Sequence, residues 1–238
     1  MPRTVVILQS NYLPWRGYFD LLQQADEVVL LDSVQYTRRD WRNRNRIKTP
    51  QGPIWITVPV EVKGRYFQAI DETRVTSPEW AERHKRSIEL AYRRAAGFSE
   101  TAPWLFEAIS AAAEETLLSS LNEQLLRAVL GRLAITTPLQ RCSQLLDRDT
   151  MRDMAPTERL LALCKALSAT RYLSGPSAQG YLDQAAFAAA GIEVAWMNYA
   201  GYPDYPQVWG EFEPHLSIVD LLMNTGNDAA RYIGRARA

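Results

Sequence analysis

Short apolar runs alternate with amphipathic stretches through the first part of the chain. Thr4 to Gln9 is rich in β-branched residues and too short for a helix, so it reads as a buried strand. A turn holding Pro14 and Gly17 follows, and from Tyr18 to Ala25 the residues Phe19, Leu21, Leu22 and Ala25 share one helical face. Glu27 to Asp32 is the next apolar strand. Strand, crossover helix and strand in so short a span predict a right-handed parallel βαβ unit, with ligands beyond the carboxyl ends of the strands.

Ile54 to Val60 predicts a further strand, with Pro59 at an edge or bulge. Ser77 as N-cap and Pro78 at the first helical position open a helix that runs to about Ala95. Helices then dominate to about Leu133, and the leucines from Leu117 onward recur at core-packing spacing. A second α/β passage follows: a helix from Pro156 to Ala169, a strand Arg171 to Leu173, the turn Ser174 to Ser177, a helix ending at Gly191 and a strand Glu193 to Met197. Asn198 to Pro206 reads as a surface loop and Ser217 to Met223 as a helix. The expected fold class is α/β: a parallel-sheet, nucleotide-binding-like core with an all-helical middle segment at about 77–135, in one domain over 1–238.

Composition adds exclusions. With 47% hydrophobic residues among 238, the chain can bury a core and does not read as disordered. No apolar run approaches the ~20 residues of a membrane span, and Val5 to Leu8 is too short for a secretory signal, so a cytoplasmic protein is expected. Two cysteines, Cys142 and Cys164, and two histidines leave a disulfide framework or structural zinc site without ligands. They read as reduced packing residues.

Charge is unevenly placed. The 27 basic and 27 acidic residues cancel, yet Thr37 to Lys48 holds six bases against one acid, so its +5 is balanced by −5 on the other 226 residues. Arg forks suit phosphate or carboxylate, and here they alternate with Asn amides. The segment therefore reads either as an anion clamp after a strand or as a solvated run paired with the chain's own acids. A second constellation, Gln9 to Phe19, lies between strand and helix, where backbone N–H groups can face a phosphate and Trp15 or Tyr18 can stack on a ring. Ser174 and Ser177 before a helix are a further anion-site candidate or a simple cap. Asp32 closes the second strand and suits metal, ribose or an ion pair to Arg38 or Arg39, the ion pair being favoured. Walker-A and dinucleotide fingerprints are absent, and the sequence assigns no metal and no cofactor.

Gln9 to Phe19 and Asp32 to Lys48 resemble the two opening motifs of the WbqC-like family, Gln-Pro-x-Tyr-x-Pro-Trp-x-Gly-Tyr-Phe and Asp-x-Val-Gln-Tyr/Phe-x-Arg-Arg-x-Trp-x-Asn-Arg-Asn-Arg-Ile-Lys. The likeness continues through Thr57-Val58-Pro59, Trp80 to His84, Tyr172 to Tyr181 and His215 to Leu222. Ser10 stands where the family pattern has Pro, which is expected to loosen the turn. The resemblance implies a role in bacterial surface-polysaccharide (O-antigen) synthesis, with modification of an amino sugar or sugar nucleotide by acyl or aminoacyl transfer. A transferase is thus expected, with His84 and Asp32 as candidate catalytic residues. The candidate substrate- or phosphate-binding residues are Asn11, Trp15, Gly17, Tyr18, Gln35, Arg38, Arg39, Trp41, Arg42, Asn43, Arg44, Asn45, Arg46, Lys48, Ser174 and Ser177.

The expected partner is a small anionic substrate. The rivals are a non-catalytic sugar-nucleotide-binding or assembly protein, and a transferase that draws its aminoacyl group from tRNA. Trp15-Arg16-Gly17-Tyr18 also occupies the place of the His-x-Gly-His turn of nucleotidyltransferases, but without either imidazole. That loss argues against ordinary adenylyl transfer.

Overall fold

The structure is a computed structural model that describes residues 3–234. Five strands make an all-parallel sheet: β1 (Thr4–Leu8), β2 (Glu27–Leu30), β5 (Leu139–Arg141), β6 (Arg171–Ser174) and β7 (Glu193–Trp196), in the order β5-β2-β1-β6-β7. A separate antiparallel hairpin joins β3 (Arg44–Thr49) to β4 (Gly52–Thr57). The helices are α1 (Arg16–Gln23), α2 (Trp80–Tyr92), α3 (Phe98–Ala112), α4 (Leu118–Arg132), α5 (Arg148–Asp153), α6 (Pro156–Ala166), α7 (Gln184–Ala189) and α8 (Ile218–Thr225).

Side-chain alternation explains why both faces of the sheet are covered. Val6, Val28, Leu30 and Leu173 point into an apolar cluster shared with α1, α2, α3, α4 and α8. Val5, Ile7, Val29 and Tyr172 point the other way, against Leu160 and Leu163 of α6 and Phe187 of α7. Cys142 and Cys164 are free and buried within this second cluster, and burial pushes the Cys164 thiol up to about 12. No helix among the described residues is long and apolar enough to cross a membrane.

The structure corrects several sequence expectations. The basic run is not a solvated run throughout: its second half is β3, because alternation buries Asn45 and Ile47 while Arg44 and Arg46 lie over the Trp55 ring of β4. β4 ends at Thr57, so Pro59 lies beyond it, and the Pro59 carbonyl accepts from the Thr76 N–H. Ser77 accepts from the Glu79 N–H, and α2 begins only at Trp80. α6 stops at Ala166, two residues before Ser168 takes a positive φ of 52°. β5 has no apolar run to announce it, since Leu139-Gln140-Arg141 is held by pairing with β2.

The chain runs from β1 outward through β2 to β5, then returns to place β6 on the other side of β1. The connections therefore reverse between β1 and β6. In open parallel sheets that switch point leaves a crevice beyond the strand ends.

Candidate functional site

A cleft of about 770 Å³ opens where the strand order reverses. Its floor is apolar, formed by Ile7 and Leu8 of β1, Tyr172 of β6, Leu21 of α1 and Leu160 of α6. Polar groups stand around it: Gln9 and Asn11 after β1, Arg42 before β3, Thr157 and Arg159 in the first turn of α6, Ser174 at the end of β6 and Ser177 beyond it. Trp15, Tyr18, Tyr181 and Tyr199 complete the wall. This volume lies within the ~300–1,000 Å³ of small-molecule sites.

The charge of the lining is one-sided. Arg42 and Arg159 contribute guanidinium groups, and no Asp or Glu lines the cleft among the described residues. Arg159 donates to the Met151 and Met154 carbonyls at 2.8 and 2.9 Å and makes no ion pair among the described residues. Arg42 donates to the Asn11 side chain and, at 3.3 Å, to the Ser10 carbonyl, with Asp40 at a long 3.6 Å. Arg159 is thus anchored by neutral oxygens, which leaves its positive charge for a guest, while Arg42 has only the long Asp40 contact set against its own.

The turn between β1 and α1 is held in an unusual backbone conformation. Leu13 has φ 41°, a region few non-glycine residues enter, and it is followed by Pro14. Its carbonyl accepts from the Asn45 amide at 2.8 Å and the Ser217 hydroxyl at 2.7 Å, while the Pro14 carbonyl accepts from the Ile218 N–H at 2.8 Å. Such strain, about 1–3 kcal/mol, persists only where neighbours over-determine it. Asn45 is therefore a brace for the turn rather than a lining for the cleft. Gly17 has a packing reason: a Cβ there would meet the Trp15 ring at 2.3 Å.

Asp32 and Ser10 lie behind this wall. The buried Ser10 N–H donates to Asp32 Oδ1 at 2.8 Å, and its hydroxyl accepts from Asn122 at 3.1 Å. A proline would lack that N–H, so Ser10 ties the turn to the segment just after β2 instead of loosening it. Burial raises the Asp32 pKa to about 6 against the opposing pull of Ser10 and Arg42. The expected ion pair to Arg38 or Arg39 does not form.

The remaining basic residues do not converge. Arg38 donates to the Val62 carbonyl and, with Gln35, lines a small hollow against Tyr66. Arg39 takes φ 58° and is exposed, its carbonyl accepting from Arg44. Arg44 lies 4.0 Å from the Trp55 ring centroid, and Arg46 is 3.7 Å from Glu213. Asn43 is buried between the Tyr36 hydroxyl and the Val58 carbonyl. Lys48 is buried, donating to Gln207 and to the Glu211 carbonyl. Strand alternation and packing have dispersed a run that looks continuous in sequence.

His84 is likewise not at the cleft. It is 5% exposed, its Nδ1 is 2.8 Å from the Tyr12 hydroxyl, its ring also bonds the Thr57 backbone, and Trp80 packs against it at 5.3 Å. Burial lowers its pKa to about 4, so it is a neutral core residue with both nitrogens occupied. The imidazole beside the site is His215, whose ring lies 5.3 Å from Trp15. Sequence reading also missed Arg159, Thr157 and Tyr199. The Pro156 helix start was visible, but nothing local linked it to a strand end far earlier in the chain.

Fold and lining together define an α/β protein with a parallel sheet and a basic cleft at its topological switch point. The chain belongs to the WbqC-like protein family, whose model matches residues 9–232. It is 49% identical over 235 residues, 99% of each chain, to the uncharacterized protein Rv1507c of Mycobacterium tuberculosis. No solved structure matches the chain.

Proposed function

We propose that this protein takes a small anionic sugar derivative, such as a sugar nucleotide, into the switch-point cleft and modifies it as a transferase in surface-polysaccharide synthesis. The observation that carries this reading is a cleft lined by Arg42 and Arg159 with no lining carboxylate. Its apolar floor and aromatic wall suit a ring system, and its guanidinium groups suit phosphate. The family likeness in the two opening motifs supplies the polysaccharide context. Dispersal of Arg38, Arg39, Arg44 and Arg46 favours a small molecule over tRNA, which needs a continuous basic surface.

Calorimetric titration with UDP-sugars, UDP and the uncharged sugars tests the reading. The phosphorylated ligands should bind, and Arg159→Met or Arg42→Ala should each weaken them about tenfold or more, as expected for a charge-assisted hydrogen bond. Equal affinity in wild type and both variants would discard the anionic cleft. A salt-sensitive gel shift with tRNA would transfer the reading to the polynucleotide donor.

A further inference from the structure

Beside the main cleft lies a second hollow of about 210 Å³, lined by Asn11, Pro14, Trp15, Trp41, Asn45 and His215. Asn11 and Trp15 line both cavities, so the two share a wall. At this volume, below the ~300 Å³ of ordinary ligand clefts, the hollow holds one ring rather than a nucleotide.

Its chemistry differs from that of its neighbour. Trp15 and Trp41 give it two indoles, and no Lys, Arg, Asp or Glu lines it among the described residues. Trp41 is 40% exposed, although it packs against Trp55 at 5.3 Å, where Arg44 covers the second indole. The Trp41 indole is therefore backed by a built stack rather than left loose on the surface. His215 makes no ring hydrogen bond among the described residues, although its backbone is tied down: the His215 N–H donates to Glu213 at 3.2 Å and its carbonyl accepts from Arg46 at 3.3 Å. Glu213, the nearest acid in sequence, is drawn toward Arg46. A cavity with aromatic walls, one imidazole without a ring hydrogen bond among the described residues and no Lys, Arg, Asp or Glu in its lining selects a ligand with apolar faces and hydroxyl edges.

We infer that this hollow is a second subsite that takes a single uncharged sugar ring, stacked on Trp41 and hydrogen-bonded by His215. This deepens, and rests on, the reading of the main cleft as the seat of an anionic donor: the sugar would be the acceptor, held across the Trp15 wall from it. Carbohydrate rings present C–H faces to indoles and hydroxyls to polar side chains, which is the division of labour this lining offers.

Saturation-transfer NMR with methyl glycosides of glucose, galactose and N-acetylglucosamine, in the absence and presence of UDP, tests the subsite. At least one glycoside should take up saturation, and UDP should not displace it. Trp41→Ala should abolish the effect, His215→Ala should weaken it several-fold, and Arg159→Met should leave it unchanged while lowering UDP affinity. Absence of any glycoside signal, retention of a full signal in Trp41→Ala, or displacement by UDP would each overturn the subsite. Glycoside binding without UDP binding would uphold the subsite and overturn the anionic reading of the main cleft.

Discussion

Asp220 and Asp32 are both buried carboxylates whose pKa desolvation raises, yet they sit in regions of opposite design. Asp220 accepts from the Tyr92 hydroxyl at 2.7 Å, the Tyr205 hydroxyl at 2.8 Å and the Gln207 amide at 2.7 Å, with Lys48 close by. Every member of that knot spends its bonding capacity on another, and the result ties α8 to β3 and to the 205–213 loop. Asp32 is bonded locally by Ser10, and the Arg42 charge nearby faces an open cavity. A saturated polar cluster specifies structure, whereas one with donors left over beside a void can receive a ligand.

The largest expected effect comes from breaking the knot. Asp220→Ala strands the Tyr92 and Tyr205 hydroxyls, takes one acceptor from the Gln207 amide and removes the carboxylate charge near Lys48, and should destabilise the protein by about 3–5 kcal/mol in urea unfolding. A loss under about 1 kcal/mol would mean that the Asp220 cluster does not hold the structure together.

Next comes Asp32, where the comparison is read through pH. Its folded pKa of about 6 stands above the ordinary 3.8, so the folded state favours the protonated form. That advantage is complete below the unfolded value and is lost as pH rises through about 6. Ionised Asp32 then costs about 3 kcal/mol, an upper figure for a carboxylate this well buried. Asp32→Asn keeps an acceptor for the Ser10 N–H. Its stability relative to wild type should therefore increase from about pH 4 to pH 7. Melting curves whose difference stays flat across that range would show that Asp32 does not feel its burial.

Gly17→Ala should have the smallest effect on stability and still reach the ligand. The new methyl must displace the Trp15 ring, the wall shared by both cavities, while the gain in helix propensity offsets part of the strain. Stability should change by less than about 1 kcal/mol, with UDP and glycoside binding both weakened. Unchanged titrations would mean that Trp15 does not shape either cavity.

Much of this was legible in sequence. Thr4 to Gln9, Glu27 to Asp32 and Glu193 to Met197 read as strands because each is short, largely apolar and bounded by turns, and the parallel βαβ opening followed from the first two. The family likeness was also legible, since its motifs are long and joint. β3 escaped notice because its outward side chains are guanidinium groups over an indole, which no hydrophobic period reveals. Trp15, Asn11, Arg42, Ser174 and Ser177 do reach the cleft, but Arg159 meets them only through the sheet's reversal. His84, expected at the site, lies in the core because spacing along the chain says nothing about an imidazole being walled in by Tyr12 and Trp80.

The stretch between β7 and α8 contributes Tyr199 to one cavity and His215 to the other, and along its length it is stitched to the interior by Tyr202 to Asp20, Tyr205 to Asp220 and Trp209 to the Ala91 carbonyl. Its ordering entropy is thus spent during folding, before any guest arrives. Association then resembles docking onto a finished surface, and its heat-capacity change should report the apolar area the ligand covers, without an added contribution from a loop settling into place.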